Sequence, residues 1–121
     1  MNGCIYVDRK SKESGVNALA QAVDGVNKGN NMLIFSESTW NLFDNRPMLP
    51  RYWGDLKVAK ETGRPVLPIA LAYNERNCFV KFGKLRYVSK ADDLHEVDRQ
   101  VYEEMSQLRL DIWDSTIYKK L

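Results

Sequence analysis

Four side chains in this sequence are of types suited to holding a phosphate and a hydroxyl group. Arg9 follows a short apolar run, and Glu37, Ser38 and Thr39 follow another. An arginine guanidinium can hold a phosphate through two parallel hydrogen bonds, and the hydroxyls can add further ones. Glu37 can accept a hydrogen bond from a substrate hydroxyl or orient the arginine. A surface ion pair of Arg9 with Glu37 or Asp8, which contributes little to stability, accounts for the same residues equally well.

The two apolar runs are predicted strands that position these side chains. Residues 4–7 favour β structure, and residues 32–35 form the unbroken apolar run that is typical of a buried strand. Apolar residues recur at helical spacing between them, at Val16, Leu19, Ala20, Val23 and Val26. Strand, helix and strand in this order predict a βαβ unit with parallel strands. Parallel strands end at the same edge of a sheet, so we expect the four polar side chains to meet there.

The remaining segments continue the alternation of strands and helices. We predict, in chain order, a helix over residues 51–62, strands over 65–72, 78–82 and 85–88, and a helix over 94–112. Gly63 ends the first of these helices, and Ser89 and Asp92 have capping-box spacing before the last. Gly83 and Lys84 form either a tight hairpin turn or the bend of one strand. The expected fold is therefore α/β, with a mostly parallel sheet and flanking helices.

Composition and charge narrow the function classes. The 121 residues suffice for one domain over residues 1–121, and 44% of them are hydrophobic. A formal charge of +2 with scattered lysines and arginines argues against nucleic-acid binding. Cys4, Cys78 and one histidine form no zinc pattern and no disulfide framework, and no metal or cofactor is predicted. The lack of a disulfide framework favours a reducing, cytoplasmic setting, and the sequence contains no signal peptide or membrane-spanning run.

No catalytic residue can be assigned from the sequence. His95 lies among carboxylates at the start of the last predicted helix, away from the strand ends, where an exposed structural role explains it best. Neither Ser36 nor Ser38 lies in a G-x-S-x-G elbow, and the sequence has no glycine-rich phosphate loop. The polar residues at the strand ends are therefore candidates for substrate binding.

Four segments resemble conserved blocks of the PlsC-like glycerolipid acyltransferases, and they occur in the family's order. Residues 3–9, an apolar strand closing on an arginine, resemble the second block. Residues 34–41 are similar to the third block, which is usually Phe-Pro-Glu-Gly-Thr-Arg. Residues 64–69 resemble the valine- and proline-rich fourth block, and residues 80–85 resemble a later Phe-Gly-Lys-Pro turn. Together these segments extend over most of the chain up to Tyr87.

The resemblance implies transfer of a fatty acyl group from acyl-CoA or acyl-carrier protein to a lysophospholipid in phospholipid biosynthesis. The typical acceptor is 1-acyl-glycerol-3-phosphate. By this resemblance Arg9 and Glu37 hold the phosphate and glycerol of the acceptor, with Ser38 and Thr39 beside them. A lipid acceptor also implies peripheral contact with the inner face of the membrane in the full-length protein.

The sequence also departs from the family pattern. Ser36, Ser38 and Trp40 stand where the third block has proline, glycine and arginine, and loss of that arginine removes one phosphate contact. The catalytic block, a histidine, four residues and an aspartate, is absent, because His95 follows the other blocks and no aspartate follows it at that spacing. We therefore expect the C-terminal part of such an enzyme, truncated at its N-terminus, inactive alone and prone to self-association through bared apolar surface. The alternative is a non-catalytic α/β module that binds a phosphate or a partner.

Overall fold

The structure, a computed structural model, describes residues 3–37, residue 41 and residues 46–115. In these residues it contains three helices and one two-stranded sheet, which confirms a mixture of α and β structure. In chain order the elements are α1 (Lys12–Asn27), α2 (Gly54–Thr62), β1 (Ile69–Asn74), β2 (Asn77–Phe82) and α3 (Leu94–Asp114). No helix in the described part of the chain is both long and apolar enough to cross a membrane.

All three predicted helices are present. α2 begins at Gly54, three residues later than predicted, and is followed as predicted by Gly63. Gly63 has a φ of +70°, in the left-handed region that glycine adopts without a steric penalty. Its amide donates to the carbonyl of Ala59 at 2.9 Å, which satisfies one of the free carbonyls at the helix end.

The start of α3 differs in detail from the prediction. Its N-cap is Asp93, whose carboxylate accepts a hydrogen bond from the amide of His95 at 3.1 Å. Ser89 and Asp92 do not form the predicted capping box. They close a separate turn, in which the Ser89 amide donates to the Asp92 carboxylate at 2.8 Å. The carboxylate of Asp93 takes the N-cap position, so spacing alone placed the cap, at Ser89, four residues too early.

The sheet is an antiparallel hairpin of β1 and β2, in which Leu71 is paired with Val80. The turn lies at Glu75, which has a φ of +40°. A hairpin at this position was not predicted, because the segment Tyr-Asn-Glu-Arg-Asn lacks the glycine that usually marks a tight turn.

The chain after β2 bends and continues along the segment that precedes β1. Val66 and Arg86 exchange two backbone hydrogen bonds of 2.8 Å each. Gly83 therefore lies at the bend of one strand path, which decides between the two alternatives that its sequence left open. Pro65 and Pro68 lie in the irregular approach to β1, as expected for residues that lack an amide donor.

The strands predicted at residues 4–7 and 32–35 are not formed. Neither segment has a ladder partner in the described residues, so the parallel βαβ unit is absent there and the sheet that is present is antiparallel. Several of their apolar side chains lie in solvent: Tyr6 is 78% exposed, Leu33 72% and Phe35 69%. An apolar run predicts only that a segment is suited to burial, whereas a strand also requires a neighbouring backbone to pair with.

Three apolar clusters hold these elements together. One joins α2 to α3 around Leu56 and Val101, both of which are fully buried. A second joins α1 to α2 at Val58. A third packs α3 on the hairpin through Ala72 and Ile112. α3 therefore packs on both α2 and the hairpin, and it lies close to the loop before α2.

Candidate functional site

The described residues between 36 and 52, namely 36, 37, 41 and 46–52, are called here the Glu37 loop, and two hydrogen bonds join its two ends. The amide of Tyr52 donates to the carbonyl of Ser36 at 2.8 Å. The amide of Leu49 donates to Oε2 of Glu37 at 2.7 Å. Loops whose ends meet in this way are compact and frequently carry functional residues. The Glu37 carboxylate is half-buried and is fixed to the far side of the loop that contains it.

The two predicted hydroxyl-bearing residues, Ser38 and Thr39, lie outside the described residues, as does Trp40. Their predicted part in binding stays a prediction. Asn41 is described, and its side-chain amide donates to the carbonyl of Arg46 at 2.8 Å. This hydrogen bond joins two further points of the Glu37 loop.

Arg9 lies at the surface, in the turn that precedes α1. The carboxylate of Asp8 accepts from the amide of Lys10 at 3.0 Å, and the carbonyl of Asp8 accepts from the amide of Ser11 at 3.0 Å. The amide of Asp8 donates to the Ser14 hydroxyl at 2.8 Å. The backbone of this turn is therefore fixed to the start of α1, while the Arg9 side chain is exposed to solvent.

The segments that carry Arg9 and Glu37 pack on one cluster. Ile5, four residues before Arg9, and Met32, five residues before Glu37, both contact the cluster formed by α1 and by Val58 of α2. The two segments thus share a packing surface although neither is a strand. A joint contact of the Arg9 and Glu37 side chains with one ligand stays a prediction.

Arg51, which was not predicted as a site residue, has a completely buried side chain. It forms an ion pair with Asp55 and a second with Asp98, with Nε 3.2 Å from Oδ1. Its Nη1 has no hydrogen-bond partner among the described residues. Burial raises the pKa of Asp55, because desolvation outweighs the attraction of Arg51. The one signal in the sequence was the spacing of four between an arginine and an aspartate, which is far commoner on solvated helix faces.

α3 holds the Glu37 loop at two more points. The hydroxyl of Tyr102 donates to the carbonyl of Met48 at 3.0 Å. Nη1 of Arg109 donates to the carbonyl of Pro47 at 3.2 Å. Met48 itself is only 2% exposed. Residues 47 and 48 are therefore held to α3 by two side chains for which the sequence predicted only a place within a helix.

His95 lies nearer to this loop than the sequence suggested. Its ring meets that of Trp53, the residue directly after the loop, edge to face, with the ring centroids 4.3 Å apart and the planes at 87°. The predicted exposed position on the final helix is confirmed. In the described part of the chain no group of three metal-binding side chains lies close enough together to hold an ion.

One family model and one known protein match this chain. The family model described as Acyltransferase matches residues 1–72, a range that includes Arg9 and Glu37. The 1-acyl-sn-glycerol-3-phosphate acyltransferase of Borreliella burgdorferi is 34% identical to the chain over 79 residues. That match covers 65% of this chain and 30% of the relative, so the chain spans less than a third of the relative's length. No solved structure matches.

Proposed function

Because the chain belongs to the acyltransferase family, we propose that it carries the part of an acyltransferase that binds the acyl acceptor. The proposed acceptor is a lysophospholipid such as 1-acyl-glycerol-3-phosphate, and the proposed donor is acyl-CoA or acyl-carrier protein, in phospholipid biosynthesis. The observation that supports this most directly is the Glu37 carboxylate, fixed by the Leu49 amide at 2.7 Å within the part of the chain that matches the family.

Each proposed contact follows from the chemistry of the side chain. Arg9 is exposed, so its guanidinium can bind a phosphate from solvent through paired N–H donors. Glu37 uses Oε2 for the loop, and in the proposal its Oε1 accepts a hydrogen bond from the glycerol hydroxyl. Ser38 and Thr39 add hydroxyl contacts to the phosphate. No residue of this chain is assigned as the base that deprotonates the acceptor, so we expect binding without turnover.

The exposed apolar segments support a second part of the proposal. Tyr6, Leu33 and Phe35 lie in solvent on segments whose sequences favour buried strands. We propose that residues 4–7 and 32–35 become neighbouring parallel strands, in a mostly parallel sheet, when further apolar structure covers them. On its own, the chain should cover the same surface by self-association. We also propose, from the lipid nature of this acceptor, a cytoplasmic protein with peripheral contact at the inner face of the membrane.

Binding of sn-glycerol 3-phosphate, the soluble part of the acceptor, tests the proposal. Amide chemical shifts of the chain titrated with this compound should move around Arg9 and the Glu37 loop. Arg9→Gln should weaken binding about tenfold or more, because charge-assisted hydrogen bonds are lost. The matched control is Arg76→Gln, which removes an exposed arginine at the hairpin turn and should leave binding unchanged. Equal losses in both variants would mean that only net charge matters.

The second candidate, a non-catalytic module for phosphate or a partner, is favoured by the lack of the family's histidine–aspartate block in this sequence. The two differ in selectivity, since a general phosphate site should bind inorganic phosphate as tightly as sn-glycerol 3-phosphate. An assay of the chain with acyl-CoA and lysophosphatidate completes the comparison. Clear product formation would refute the expectation that this chain binds the acceptor without turnover.

A further inference from the structure

We propose that α3 positions Glu37, and that Tyr102 is the main positioning residue. The inference rests on the proposed function, because it names the groups that hold the acceptor-binding carboxylate in place. α3 begins at residue 94, well beyond residues 1–72 that match the family. The proposed role of α3 therefore depends on its contacts with the Glu37 loop and not on the match to the family.

The central observation is that one peptide unit joins Tyr102 to Glu37. The Tyr102 hydroxyl donates to the carbonyl of Met48 at 3.0 Å, and the next amide, that of Leu49, donates to Glu37 at 2.7 Å. This carbonyl and this amide belong to the same planar group, so fixing the oxygen also fixes the direction of the N–H. A hydrogen bond accepted at the carbonyl also polarises the peptide and strengthens its donor end.

The flanks of this peptide unit are held to α3 as well. Arg109 donates to the carbonyl of Pro47, one residue before Met48. Arg51, two residues after Leu49, is fully buried and pairs with Asp98 of α3. Asp98 lies four positions before Tyr102 on α3, and Arg109 lies seven positions after it. These spacings place the three side chains on one face of the helix. On this face Tyr102 and Arg109 bind backbone carbonyls of the loop, and Asp98 binds its buried arginine side chain.

Loss of the Tyr102 hydroxyl should free the peptide between Met48 and Leu49 to rotate. The Glu37 carboxylate then loses its fixed donor and regains rotamer freedom, which acceptor binding must remove again. Affinity for the acceptor should therefore fall. Binding of acyl-CoA should not change, because Glu37 is proposed to contact only the acceptor.

The test compares Tyr102→Phe with the matched control Tyr87→Phe, which removes an exposed hydroxyl outside the loop. The first measurement needs no ligand: the exchange rate of the Leu49 amide with solvent deuterium should rise about fivefold in Tyr102→Phe and stay unchanged in the control. Affinity for sn-glycerol 3-phosphate should fall by a similar factor. If Tyr102→Phe does not fold, Arg109→Met, which has no donor, replaces it, and Arg109→Lys should restore the wild-type values because it keeps a donor to Pro47.

The possible outcomes separate this inference from the proposed function. Unchanged Leu49 exchange in Tyr102→Phe overturns the inference. Faster Leu49 exchange combined with wild-type affinity for sn-glycerol 3-phosphate also overturns it, because the carboxylate would then need no positioning. Faster exchange in a chain whose wild-type form binds no sn-glycerol 3-phosphate supports the hold of α3 on Glu37 and refutes the proposed function instead.

Discussion

Gly83 lies where the chain bends after β2, and Gly83→Ala should destabilise the fold. A Cβ at this position would lie 2.2 Å from Oε1 of Glu104 and 3.2 Å from Cδ1 of Leu108, both on α3. Glu104 is not free to move away without loss. Its Oε1 accepts from the amide of Lys84 at 3.1 Å, and its Oε2 pairs with Arg86 at 3.1 Å. Gly83 belongs to the turn that resembles a family block, and this close approach of Glu104 and Leu108 explains by packing why the position carries no side chain.

The cost of Gly83→Ala follows from these contacts. Forcing an extra methyl group into a packed site costs about 1–3 kcal/mol. If Glu104 swings aside instead, it gives up its hydrogen bond to the Lys84 amide and its partly exposed pair with Arg86, each of which contributes about 1 kcal/mol at most. Either route gives a loss of about 2 kcal/mol, which for a domain of this size lowers the melting temperature by roughly 6–10 °C.

Thermal and urea unfolding followed by circular dichroism measure this loss. The matched control is Gly15→Ala, since Gly15 lies in the interior of α1 and a Cβ there meets nothing within 4 Å. Alanine in an open helical position is more favourable than glycine, so the control should stabilise the chain by about 0.5–1 kcal/mol. The two variants should therefore move stability in opposite directions. Equal stability of Gly83→Ala and wild type would refute the argument, because Glu104 could then yield at no cost.

Two further predictions concern surface charge and the exposed apolar segments. Hydrogen bonds from Arg99 and Gln100 lower the pKa of Glu96 from 4.5 to about 2, so this carboxylate favours the folded state above pH 4.5 and loses that contribution as the pH falls towards 2. A carboxyl NMR titration should give the lowered pKa, and Arg99→Gln should return it towards 4.5; an unaltered pKa in that variant contradicts the assignment. Phe35→Lys should reduce concentration-dependent self-association in light scattering, whereas Val16→Lys, a matched change on the exposed side of α1, should not. Identical behaviour of these two variants would place the association surface elsewhere.

Local signals explain what the sequence predicted well. The apolar periodicity of the three helices and the left-handed stop at Gly63 depend on residues within one or two turns of each other, so they could be identified without the fold. The bend at Gly83 was only half predicted, because a hairpin turn and a bent strand share the same short-range pattern. The register with Val66 that decides between them joins residues twenty positions apart.

Non-local contacts explain what was missed. Residues 4–7 and 32–35 have strand sequences, yet pairing depends on a partner backbone that the pattern does not specify. Arg51 was predicted only as the first residue of a helix. Its burial could not be predicted there, because arginine is almost never fully buried unless it is paired. Its burial follows from Asp98, which lies 47 positions later on α3. Glu37 was identified by type and place, but its fixed orientation depends on a loop amide twelve residues away.

The position of α3 along the chain bears on how the proposed acceptor site is built. All four predicted site residues lie within residues 1–72, yet Tyr102, Arg109 and Asp98 hold the Glu37 loop from beyond that range. A buried charge such as Arg51 is costly when one of its partners is removed, so the loop cannot detach from α3 without a large loss of stability. The geometry of Glu37 is therefore coupled to the packing of α3. If so, relatives with the same four site residues but a different helix in place of α3 should orient this carboxylate differently, and acceptor selectivity can vary without any change at the site residues themselves.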